Sequence, residues 1–158
     1  MLNFRDFEAG PDPFGRKFHI FFKWLQTAIS LRHADTVDVK FVLTTDDGER
    51  SEKTIAIPHA DLCKVSAELN RPFDDPWCSR IAAMHLIHLI ETGEDMEKDL
   101  VTLLPADLAR YAGRLDAEER SAIAARCSRN PLGHPSCAAT NSFRAALEFF
   151  ALRSIIPV

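Results

Sequence analysis

Paired cysteines, glycine-rich loops and long apolar runs are all missing from this chain of 158 residues, and each absence removes a class of protein. The four cysteines, Cys63, Cys78, Cys127 and Cys137, form no CxxC pair and no dense framework. A chain this long can bury a core without covalent staples, so reduced, partly buried thiols in a cytoplasmic protein are the expectation. The six glycines form no GxGxxG dinucleotide fingerprint, and no GxSxG elbow marks a serine hydrolase. Apolar runs such as residues 86–90 fall far below the roughly 20 residues that span a bilayer. Arg5, Asp6 and Glu8 interrupt the N-terminal stretch that a signal peptide would keep apolar. A net charge of −4 lacks the basic surplus of nucleic-acid binders. Neither a membrane nor a nucleic acid is therefore an expected partner.

What remains is an ordinary globular balance, 46% hydrophobic and 27% charged, which suits a single domain over residues 1–158. Residues 1–13 read as loosely ordered, ending in the breaker cluster Gly10-Pro11-Asp12-Pro13. At 100° per residue, Phe18, Phe21, Phe22, Leu25, Ala28 and Ile29 share a face, which predicts a helix over residues 14–32. Ile20, Trp24 and Leu31 widen that face beyond half the circumference, the pattern of a helix with two apolar neighbours.

The period then changes to two. Val37, Val39, Phe41 and Leu43 alternate with mostly polar residues, and Ile55 and Ile57 repeat the alternation after Asp46-Asp47-Gly48. A two-residue loop would split the apolar residues between faces. A three-residue loop sets Val39 opposite Ile55 and Val37 opposite Ile57, with Gly48 at the position that needs a positive φ. The aspartates are thus turn residues rather than a catalytic pair.

Everything after Pro58 reads as helix: 60–69; a segment opened by Asp75-Pro76 and closed by Gly93; 94–104; 106–115; a segment from the capping-box pattern of Asp116 to Glu119 through Cys127; and 142–153. The predicted fold class is α+β, mostly helical: one long N-terminal helix, one two-stranded antiparallel hairpin, and a bundle of about five or six helices.

Candidate sites are few. The stretch Gly10 to Lys17 superficially suggests a phosphate loop, but no strand is expected before it, Arg16 separates Gly15 from Lys17, and two prolines remove donors. Cys63 follows His59 by one helical turn, and a packed core thiol is the plainer reading. Cys127, His134 and Cys137 offer two thiolates and an imidazole for zinc, without a fourth ligand nearby. The best-spaced group is His85, His88 and Glu91, at intervals of three on one helix face. Two imidazoles and a carboxylate suit a divalent metal, and no other cofactor is expected. The plainer reading is the wet face of an amphipathic helix.

Function therefore stays open at this level, with two classes in view. One is a cytoplasmic interaction domain that forms a homodimer, or binds another protein, through a patch containing Ile20, Trp24 and Leu31. The other is a metal-binding protein or metal-dependent enzyme built on His85, His88 and Glu91.

Overall fold

The structure, a computed structural model, describes residues 4–28 and 35–129. It comprises two compact units, Met1–Asp116 and Ala117–Val158. The first holds β1 (Asp6–Ala9), β2 (Phe18–Ala28), β3 (Thr36–Thr45), β4 (Arg50–Pro58), α1 (His59–Glu68), α2 (Asp75–Thr92) and β5 (Leu100–Thr102), together with the start of α3 (Pro105–Arg129). Of the second unit only the rest of α3 is described. The predicted helix over 142–153 lies outside the described residues.

The strands form one five-stranded sheet in the order β1-β2-β3-β4-β5. The first four strands make an antiparallel meander, and β5 pairs parallel to β4. Parallel neighbours need a crossover connection, which α1 and α2 supply.

This architecture overturns the mostly helical fold and its helical bundle. Three helices, not five or six, are present among the described residues. The expected two-stranded hairpin is the β3–β4 centre of a larger sheet. The largest correction concerns the predicted helix over residues 14–32: its described part, residues 14–28, is the loop before β2 and β2 itself. Phe18, Ile20, Phe21, Phe22 and Trp24 are aromatic or β-branched residues, which favour a pleated surface. Their over-wide helical stripe has a simple cause. A bulge between Phe22 and Trp24 shifts the register, so the apolar side chains divide between the two faces of a strand. Phe18, Ile20, Phe22 and Leu25 line one face, and Phe21 and Trp24 the other. Likewise the predicted helix over 94–104 is a turn followed by β5. Residues 6–9, expected to be loose, are an edge strand paired with Phe18 to Phe21. At Asp116 α3 runs through without the expected break.

The hairpin register is the one its alternation predicts: Val37 faces Ile57, Val39 faces Ile55, and Gly48 has φ of 82°. The long helix is also where its end signals place it. Asp74, one residue earlier than expected, caps α2 by accepting the Trp77 N–H at 2.8 Å, and Gly93 ends it at φ of 75°.

The core lies between one face of the sheet and the helices. Phe7, Ile20, Val39, Phe41, Leu43, Ile55 and Ile57 meet Leu62 of α1, Trp77, Ile81, Leu86 and Ile90 of α2, and Leu108 of α3 in one buried cluster. The small residues Ala82 and Ala83 are fully buried.

Candidate functional site

Two places in the first unit carry chemistry or surface that the core does not explain. One is the histidine stretch of α2, and the other is the second face of the sheet.

His85 is buried, 5% exposed, and neither ring nitrogen has a hydrogen-bond partner among the described residues. Its ring lies 5.9 Å from Tyr111 of α3 and 6.5 Å from His88. The expected wet face of α2 is therefore covered at this point. Burial pushes the His85 imidazole below its usual value; Asp107 pulls it up, and His88 and Arg110 push it further down. Arg110 is held by Asp107 at 2.8 Å and donates to the Tyr111 hydroxyl at 2.9 Å. Neutral His85 is thus packed against a polar cluster without bonding to it. His88 is partly buried and Glu91 is exposed. Among the described residues no three His, Cys, Asp or Glu side chains gather as a metal-binding group. The Cys127, His134 and Cys137 candidates lie outside the described side chains.

The second face of the sheet follows from the register. Asp6, Phe21, Val42 and Glu52 form one cross-strand row, and Trp24, Lys40, Thr54 and Leu100 form the next. Phe21 is 44% exposed and Leu100 is 50% exposed. Trp24 is half-buried, with the Lys40 ammonium 5.8 Å from its ring centre. The Glu52 carboxylate accepts from both Lys23 and Lys40. Those two bonds hold its carboxyl at about 2, far below the usual range. At the rim His19 pairs with Asp6 at 2.9 Å and stacks edge-on against Phe21. The face is a mixed apolar and ionic surface whose charges are largely matched within it.

The sequence-derived interface trio divides accordingly. Trp24 lies on this open face. Ile20 is fully buried on the opposite, core face, so the two do not share a surface. Leu31 is outside the described residues. Phe21 lies beside Trp24 on the open face because of the bulge between Phe22 and Trp24, whereas Ile20 turns inward.

A buried charged side chain that pattern reading missed is Lys53, 4% exposed on the core face of β4. Its ammonium donates to the backbone carbonyls of Asp95, Met96 and Lys98 at 2.9, 3.1 and 2.7 Å. It clamps the turn between α2 and β5. The signal was available, because the hairpin register that pairs Val39 with Ile55 also sets Lys53 opposite the inward Phe41.

The Gly10–Lys17 stretch is a closed loop between β1 and β2. The Asp12 carboxylate accepts the N–H groups of Phe14 and Arg16 at 2.9 and 2.8 Å and the Arg16 guanidinium at 2.8 Å. The backbone donors a phosphate would need there are already taken.

No protein family, curated protein or solved structure matches this chain. No helix among the described residues is long and apolar enough to cross a membrane.

Proposed function

We propose that this chain is a self-associating protein-interaction domain whose contact surface is the open face of its sheet, and that the partner is a second copy. The observation that carries the reading is the exposure of Phe21 and Leu100 beside half-buried Trp24, on a sheet whose other face is filled by the core. A sheet face that keeps large apolar side chains in water gains by being covered. Charge favours a like surface over a polyanion or polycation. Asp6, Glu8, Asp38 and Glu52 are interleaved with Lys23, Lys40, Arg50 and His19 on this face, so it is nearly neutral and offers both signs to a copy of itself. Closed two-fold pairing is the commonest arrangement for such a surface.

Light scattering at micromolar concentration tests this. The expected mass is twice the 17.7 kDa of one chain, and Phe21→Glu and Trp24→Glu each reduce it to one chain while the circular dichroism spectrum is retained. A single-chain mass unchanged by concentration or by either substitution overturns the reading.

A further inference from the structure

Cys63 and His59 form a pair that the sheet surface does not use. Both lie on α1, one turn apart, and the Cys63 Sγ is 3.7 Å from the His59 Nδ1. The thiol is exposed rather than packed in the core as its sequence context suggests. The imidazole is backed by one aromatic ring, and the backbone that carries it is anchored separately. Its ring stands edge-on against Phe73 at 5.5 Å, and the His59 backbone N–H donates to the Asp35 carbonyl at 2.8 Å. A nucleophile beside a positioned base, with the thiol exposed and the imidazole partly buried, is an arrangement that raises thiol reactivity. Cys78 is the internal contrast: it is buried, and burial, with Asp75 and Asp74 nearby, pushes its thiol up to about 12.

We propose that Cys63 is a site of reversible S-thiolation by low-molecular-weight disulfides, with His59 as the base. The His59 Nδ1 takes the thiol proton as the Cys63 sulfur attacks one sulfur of the disulfide. The new S–S bond forms as the old one breaks, and the departing thiolate recovers the proton from the imidazolium. Cys63 is oxidised to a mixed disulfide, and one sulfur of the reagent is reduced to a thiol. A second thiol reverses the reaction by the same exchange.

The test uses the full chain and 5,5′-dithiobis(2-nitrobenzoate), following release of the coloured thiolate, with peptide mass mapping to locate the modified residue. Cys63 is expected to be modified first, and at neutral pH about tenfold faster than an unstructured peptide bearing one cysteine, a modest share of what a positioned base supplies. His59→Gln is expected to bring the rate down to that of the peptide and to steepen its rise with pH, with the unfolding midpoint retained. Unfolding the parent chain in urea abolishes the advantage without any substitution, which covers the case of a variant that does not fold. A parent rate equal to that of the peptide, first modification at another cysteine, or an unchanged rate and pH profile in folded His59→Gln overturns the proposal.

Discussion

Replacing Lys53 by methionine removes a buried ammonium and keeps most of its stem. In the parent chain that ammonium donates to three carbonyls in the turn after α2. The same turn delivers the Asp99 carbonyl to the Thr54 N–H at 2.7 Å, and Leu103 then donates to Ala56 at 2.9 Å. Lys53 therefore anchors the approach of β5, whose ladder has only three residue pairs. Hydrogen bonds involving a charged group contribute about 1.5–3 kcal/mol each. Against that gain stands the desolvation of the ammonium, which amounts to several kcal/mol and which methionine does not incur. Burial does push the Lys53 ammonium below its usual value, with Glu97, Asp99 and Asp95 opposing it. The balance takes the ammonium from the Met96 and Lys98 carbonyls and leaves the Asp95 carbonyl with the Lys98 N–H at 3.2 Å, a net loss of about 3 kcal/mol. For a chain of this size the midpoint of thermal unfolding falls by about 10 °C. Urea unfolding measures the loss, and amide exchange at Thr54, Val101 and Leu103 locates it. Stability within about 0.5 kcal/mol of the parent, the range of an ordinary surface substitution, would refute the clamp. So would unchanged protection of those three amides.

His85 makes stability depend on pH. Its folded imidazole is held below the ordinary value of 6.5, so the unfolded chain binds a proton that the folded chain refuses, and stability present above about pH 6.5 is lost as pH falls below it. The urea midpoint should drop between pH 7.5 and 5.5, and His85→Leu should flatten that drop; a parallel decline in both chains contradicts the assignment. Glu52 contributes in a lower window, because its carboxyl is held at about 2 by Lys23 and Lys40. Glu52→Gln should reduce the stability lost as pH falls from about 4.5 towards 2, measured by acid unfolding. Gly48→Val should destabilise by about 1 kcal/mol or more, since a β-branched residue resists positive φ although nothing lies within 4 Å of its added Cβ. A denaturation curve that overlays the parent curve would contradict that reasoning.

Local interactions are what the sequence determined by itself. The β3–β4 register follows from period-two alternation and one positive-φ glycine, and both act within about twenty residues. The span of α2 follows from a carboxylate cap, a proline in its first turn and a left-handed glycine at its end. Tertiary pairing decided the rest. In β2, Phe18 to Trp24 satisfy helical and strand patterns alike, because apolar residues at nearly every position carry no single period. The choice was made by two flanking strands, β1 and β3, whose backbone groups pair with it. β5 is three residues long and exists because β4 offers a parallel edge and Lys53 holds the turn before it. The same dependence governs the sites. Spacing placed His85, His88 and Glu91 on one side of a helix, but Tyr111 of α3 decides that His85 is buried while Glu91 stays in water. Phe21 and Trp24 became neighbours on an open surface only when the strand bulged between Phe22 and Trp24. Burial and exposure belong to the assembled sheet, and no window of sequence contains the partner strands that set them.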